Sequence, residues 1–270
     1  MRERVVVKWG GGLITKKHEM KTVRTDVLDD LARQLEACLD AGVDVVLVHG
    51  AGSFGHLKAK AYRLAEGKVN DGNLPSEMTQ EEAVADVRSD MLELNQHVMD
   101  ALTKHDISAV SLSPHRWAKN TGKEFLGDLG VFDGAPTGIV VVTHGDVVEC
   151  DPPMDFGILS GDDLVYRLAT EVSGVKRLVF AMGGVEGVLS EPPTNENDEA
   201  KLITVLTRDH PFEGEHMTDM DVTGGIGLKV TRGFQVAEHG VSVHMVSGEL
   251  DQRVKDACLG STFRGTTLQP

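Results

Sequence analysis

The seven residues Gly50-Ala51-Gly52-Ser53-Phe54-Gly55-His56 constrain this chain more than any other stretch. They follow the β-branched run 43–49, which reads as a buried strand. Glycines here let the backbone turn sharply and aim several N–H groups at one place, which is how a chain without a metal holds a phosphate. Gly50, Gly52 and Gly55 satisfy G-x-G-x-x-G, and Gly50 and Gly55 also have the P-loop spacing. His56 and Leu57, however, stand where a P-loop needs Lys and then Ser or Thr. The stretch is an anion loop with a histidine at its lip.

The same arrangement occurs earlier. Val5-Val6-Val7-Lys8 reads as a first strand and Gly10-Gly11-Gly12 follows almost at once. Between them, residues 26–41 carry Val27, Leu28, Leu31, Leu35, Cys38 and Leu39 at helical spacing, and Gly42 supplies a stop. The order β-loop-α-β-loop predicts an α/β sheet with parallel pairing, in which ligands gather at the carboxyl ends of the strands. Both glycine loops would lie there.

Downstream, a short helix is expected over 57–65 and a polar loop over 66–76. Thr79 and Glu82 form a capping box for a long helix with Val84, Val87, Met91, Leu94, Val98 and Leu102 on one face. Residues 108–112 and 139–143 read as strands, with a flap or hairpin over 114–137. A second lobe opens around Gly145-Asp146-Val-Val148. There Ser160 caps a helix, 177–182 is a strand, and Gly183-Gly184-Val-Glu-Gly187 is another glycine turn. Asp221-Val-Thr-Gly224-Gly225 leads into a helix, and strand 241–246, helix 251–259 and strand 263–268 close the sheet.

Charge narrows the partners. A net charge of −15, from 27 basic and 42 acidic side chains, repels nucleic acids and anionic membranes. A small anionic substrate would need a local cluster of Lys, His and backbone N–H groups. Cys38, Cys150 and Cys258 are widely separated and lack metal spacing, so they read as reduced packing residues. The start of the chain enters a strand without an apolar leader, and no run approaches the ~18 apolar residues of a membrane span. A cytoplasmic setting is expected.

A dinucleotide oxidoreductase would need an acidic residue at the end of the strand after the fingerprint, but Asp71 at that distance sits in a Gly/Asn-rich loop. No H-x-x-x-H, H-E-x-x-H or C-x-x-C appears, so no protein-held metal is expected. Phosphoryl transfer uses more of the chain, because that reaction asks chiefly for positioning and for cations around the moving group. Lys8 ends the first strand beside a glycine loop, and Lys229 lies four residues beyond Gly225. Lys17 and His56 add positive potential near the early loops, while Asp162 is placed to hold a lysine or meet a metal-bound water. Taken singly, each has a plainer reading: a solvated loop lysine, a helix cap, a surface lysine.

Lys8-Trp-Gly-Gly-Gly-Leu-Ile-Thr15 resembles the K-x-G-G-S-x-I-T opening of the amino acid kinase superfamily. Gly50–His56, Gly145–Val148, Ser160-Gly161-Asp162-Asp163 and Asp221–Gly225 with Lys229 follow in the order of that superfamily, and a histidine ending G-A-G-S-F-G-H resembles its isopentenyl phosphate kinases. The resemblance implies an open αβα sandwich with a mainly parallel central sheet, the amino acid kinase fold. It implies a phosphoryl-acceptor lobe over 1–148, an ATP lobe over 149–270, a homodimer, and ATP and Mg²⁺ as cofactors. The implied reaction is ATP-dependent phosphorylation of isopentenyl phosphate. Lys8 and Lys229 would steady the transferring group, Asp162 would orient the lysines, and Lys17 and His56 would engage phosphate. Gly10, Gly11, Gly50, Ala51, Gly52, Gly55 and Gly161 would line the acceptor, with Gly183, Gly187, Gly224 and Gly225 at the nucleotide. Alternatives of the same fold are a fosfomycin-type kinase and a non-catalytic nucleotide sensor. Three positions depart from the pattern: Trp9 for a small aliphatic residue, Gly12 for Ser, and Glu186-Gly-Val-Leu189 for D-G-V-Y.

Overall fold

β-Branched residues crowd a helix but pack well on a pleated surface, and the valine runs form the middle of the sheet. The computed structural model describes residues 2–16, 19–70, 72–190, 202–209 and 225–270. The chain runs β1 (Arg4–Trp9), α1 (Gly11–Ile14), α2 (Thr25–Asp40), β2 (Asp44–His49), α3 (Gly52–Ala61), α4 (Gln80–Lys104) and β3 (Ala109–Ser111). It continues through β4 (Ala118–Lys119), β5 (Leu126–Gly127), α5 (Gly130–Asp133), β6 (Val140–His144), β7 (Asp146–Glu149) and β8 (Phe156–Leu159). Then come α6 (Gly161–Glu171), β9 (Val175–Met182), β10 (Val205–Thr207), α7 (Ile226–Ala237), β11 (Ser242–Ser247), α8 (Arg253–Leu259) and β12 (Thr266–Gln269).

Among the described residues the main sheet has the order β10-β12-β11-β9-β1-β2-β6-β3. Every pair is parallel except β11 with β12. A smaller sheet, β5-β4-β7-β8, stands beside it. The expected lobe boundary after residue 148 falls within β7. Alternate residues of β1 feed two apolar cores, as the two-residue period of a strand requires. Val5, Val7 and Trp9 join the side covered by α2, α3, α4 and α8, while Val6 joins the side covered by α6 and α7. This is the αβα sandwich.

The capping box of α4 forms as expected, with Glu82 N donating to Thr79 Oγ1 and Thr79 N to Glu82 Oε2. α3 differs from expectation. It begins at Gly52 rather than at 57 and ends at Ala61, so the glycine stretch supplies its first turn. Glycine inside a helix costs up to about 1 kcal/mol. Here it permits close packing: a Cβ on Gly55 would lie 3.0 Å from Ala51 Cβ and 3.4 Å from Met91 Sδ of α4. The segment 114–137 holds the short β4, β5 and α5 in place of one long hairpin.

Candidate active site

Strand order reverses at β1, with β2 on one side and β9 on the other, and ligands of open α/β sheets gather at the carboxyl ends beside such a reversal. Backbone hydrogen bonds tie the loops there to neighbouring strand ends. Gly10 N donates to Ala181 O at 3.0 Å, Gly50 N to Trp9 O at 3.0 Å, Gly145 N to His49 O at 3.1 Å and Gly248 N to Met182 O at 2.8 Å.

The two glycine loops touch through bare backbone. A Cβ on Gly11 would lie 2.2 Å from Gly52 N, one on Gly50 would lie 2.6 Å from Gly11 N, and one on Gly52 would lie 2.1 Å from Thr15 Oγ1. Gly52 also has φ +51°, a conformation that side chains resist. Thr15 bridges the loops, donating from Oγ1 to Gly11 O at 2.8 Å and accepting from Ser53 N at 2.9 Å. Ala51 precedes α3 without a side-chain cap, and in the first turn Ser53 N is taken by Thr15 Oγ1 and Phe54 N by Ala51 O at 3.1 Å, which leaves the positive end of the helix dipole beside the two loops. His56 is half-buried one turn along α3.

Lys8 is 5% exposed and donates to Asp162 Oδ1 in the first turn of α6. Gly161 makes room for it, since a Cβ there would meet Lys8 Cε at 3.1 Å. Asp162 Oδ2 accepts no hydrogen bond and lies 3.5 Å from Lys229 Nζ. Burial pulls the Lys8 pKa down to about 8, against the attraction of Asp162 and with the repulsion of Lys229. One carboxylate therefore stands between two ammonium groups, leaving a local surplus of one positive charge in a desolvated place.

α6 is held by Ser160, whose Oγ accepts from Asp163 N at 3.1 Å. Asp163 in turn receives Arg232 of α7, from Nε at 2.8 Å and Nη2 at 2.7 Å. Arg232 lies one turn beyond Lys229, so this pair fixes the helix that presents that lysine. Sequence reasoning quoted Asp163 within its motif without giving it a role and missed Arg232; the i, i+3 spacing of Lys229 and Arg232 was the available signal.

Gly183 backs onto the first glycine loop: its Cβ would lie 3.0 Å from Leu13 Cα and 3.1 Å from Gly12 O. Gly187 packs against Thr266 instead, 2.6 Å from its Oγ1 by the same measure. Gly225 is the N-cap of α7. Lys17, Gly224 and the 221–223 part of the motif lie outside the described residues. Trp9 is fully buried and its Nε1 finds no partner.

Behind Gly50, two buried histidines that sequence reasoning did not single out close the strand ends. His49 and His144 pair across β2 and β6 with ring centroids 5.1 Å apart. His49 Nδ1 bonds Gly50 O at 3.1 Å and His144 Nδ1 bonds Gly145 O at 3.0 Å. Burial, with the repulsion of His144, lowers the His49 pKa to about 3, so the ring is neutral. On the far side of α3, Asp90 of α4 is 2% exposed and receives both Lys21 and Lys58, the latter at 2.6 Å.

The sequence profile of the Amino acid kinase family matches residues 3–247. An isopentenyl phosphate kinase of Haloferax volcanii is 32% identical, with 97% of this chain and 98% of that protein covered. One of Methanothermobacter thermautotrophicus is 28% identical, with 98% of each covered. A crystallographic isopentenyl phosphate kinase superposes with a TM-score of 0.81 at 26% identity, covering 98% of this chain and 100% of that one. A Thermoplasma acidophilum isopentenyl phosphate kinase product complex gives 0.74 at 25% identity over 98% of this chain and 99% of that one. End-to-end agreement of sequence and fold shows that the chain belongs to the amino acid kinase family, on its isopentenyl phosphate kinase branch.

Proposed function

We propose that this protein transfers the γ-phosphoryl group of ATP to the phosphate of isopentenyl phosphate, giving isopentenyl diphosphate and ADP. The observation that carries the reading is Asp162 between Lys8 and Lys229, at the point where the strand order reverses. An acceptor phosphate oxygen attacks the γ-phosphorus and the bond to the β–γ bridging oxygen breaks. Both reactants are polyanions and the whole protein is acidic, so the reaction needs focused positive charge. Lys8 and Lys229 supply it along the path of transfer, and Asp162 holds both ammonium groups in register.

The acceptor would sit over the 1–148 side, with its phosphate against Gly10, Gly11, Gly50, Ala51, Gly52 and Gly55 and against His56 and Lys17. Gly161 leaves space for Lys8 beneath it. The nucleotide would lie over the 149–270 side, along Gly183, Gly187, Gly224, Gly225 and the start of α7. Mg²⁺ suits a site of this donor set when it arrives on the nucleotide. Among the described residues no three His, Cys, Asp or Glu side chains converge to cage a metal, and Mg²⁺ is commonly carried by substrate phosphates. Asp162, expected either to hold a lysine or to meet a metal-bound water, takes the first part: it holds Lys8 and faces Lys229, and its second oxygen is buried. The enzyme is read as a cytoplasmic homodimer by family resemblance, and sedimentation velocity tests the oligomeric part. No described helix is long and apolar enough to cross a membrane.

Incubation of purified protein with MgATP and a panel of small phosphates and phosphonates, followed by phosphorus NMR, tests the reaction. New P–O–P signal is expected with isopentenyl phosphate. Turnover only with a phosphonate would move the protein to a fosfomycin-type kinase, and no acceptor-dependent turnover would leave a nucleotide sensor.

A further inference from the structure

Glu249 follows β11 and belongs to none of the motifs described above. One of its carboxylate oxygens pairs with Arg24, and the other accepts the Gly184 N–H at 2.8 Å. Arg24 is the N-cap residue of α2, and its Nη1 donates to Leu13 O in α1 at 3.3 Å. Its own N–H donates to Ile14 O at 2.9 Å. Leu13 is itself wedged between two glycines: a Cβ on Gly183 would lie 3.0 Å from Leu13 Cα, and one on Gly248 would lie 2.3 Å from Leu13 Cδ2. The contacts close a ring through Leu13, Arg24, Glu249, Gly184 and Gly183. It joins the first glycine loop to the 183–187 turn, and so the acceptor side to the nucleotide side.

The Gly184 N–H is held by the Glu249 carboxylate. The residue's φ is +76°, and nothing lies within 4 Å of where its Cβ would be. The bond to Glu249 therefore sets the direction of this peptide, while Glu249 is steadied by its own N–H to Ser247 Oγ at 3.1 Å. A bare carboxylate beside a polyphosphate would repel it, and Arg24 neutralises that charge.

We propose that Glu249 is a positioning residue for the nucleotide. It fixes the 183–187 turn by taking the Gly184 N–H and, through Arg24, registers that turn on the first glycine loop. The inference rests on the nucleotide site proposed above.

The test uses the full chain with Glu249→Ala, Glu249→Gln and Arg24→Gln. A hydrogen bond to a charged group supports a KM for ATP raised about tenfold in Glu249→Ala, with kcat and the KM for isopentenyl phosphate within about twofold of the parent. Glu249→Gln keeps an acceptor oxygen and should lose less, about threefold. Arg24→Gln combined with Glu249→Ala should be no worse than Glu249→Ala alone, because the two act through one contact. An unchanged or lowered KM for ATP overturns the proposal, as does a parallel rise in both KM values with a fall in Tm. Hydrogen exchange of the parent separates the two readings. If MgATP protects 183–187 while Glu249→Ala binds ATP normally, only the role of Glu249 fails. If MgATP leaves 183–187 unprotected, the nucleotide site itself is wrong.

Discussion

Lys8, near the end of β1, donates its ammonium to Asp162 in the first turn of α6, and the ion pair is almost closed to water. Burial outweighs the attraction of the carboxylate and pulls the Lys8 pKa down from 10.5 to about 8, so this lysine keeps its proton less firmly than one in solvent. This sets a pH window for any activity that needs its charge.

In the proposed reaction the Lys8 proton stabilises the moving phosphoryl group, so kcat/KM for ATP is expected to fall as pH rises through about 8. Polyphosphate favours the charged form, so the fall in kcat should lie at higher pH. Stability moves the other way. The unfolded chain keeps this proton up to about 10.5, so between about 8 and 10.5 it binds more protons than the fold, and this group's contribution to stability rises with pH. Lys8→Met should fold, lose kcat far more than it raises KM, and lose this limb of the pH profile. Normal kcat in that variant would remove Lys8 from the mechanism.

His56→Ala should lose about 10- to 150-fold in kcat/KM for isopentenyl phosphate, the worth of one hydrogen bond to a charged partner. ATP affinity and Tm should hardly move. His56→Gln should recover part of the loss, because its amide still donates. Parent-like turnover in the alanine variant would send the search to another acceptor.

Gly11→Ala places a methyl 2.2 Å from Gly52 N, where only backbone could yield. The two glycine loops must then part, so activity should be lost even if circular dichroism shows the helices intact. Retained activity would mean that contact between the loops is dispensable.

Asp90→Ala strips two lysines of a buried partner, and breaking such a pair costs about 3–5 kcal/mol when fully buried. Lys21 is about a third exposed, so the urea midpoint should report a loss toward the lower end of that range. Lys58 belongs to α3 and Lys21 N donates to Ser53 O at 3.4 Å, so the variant should raise KM for isopentenyl phosphate more than for ATP. Equal rises would make Asp90 purely structural.

Strands β1, β2, β6, β9 and β11 were legible because valine runs bounded by glycine have few other solutions, and α4 because Thr79 and Glu82 announce its start. The beginning of α3 was not, since three glycines argue against a helix unless one knows that Met91 presses on Gly55. β10 and the β7–β8 hairpin were too short for periodicity to single out. Lys8, Asp162 and Lys229 each lay beside a glycine or a cap, and the structure brings all three together. Asp163 with Arg232, Asp90 with Lys21 and Lys58, and Glu249 with Arg24 are separated along the chain, and one-dimensional patterns carry no sign of such pairings.

The central place of β1 also bears on how the protein is made. β2 follows β1 closely along the chain and can pair with it early in synthesis, but the other edge of β1 pairs with β9, at residues 175–182. Until then a valine-rich strand edge stands open on a nascent chain, the kind of surface that recruits the wrong partner. Lys8 sits on that same strand, so its meeting with Asp162 must also wait until residue 162 has been made. The nascent chain can bring the two glycine loops together early, yet it cannot complete the charge cluster until Lys229 has been added.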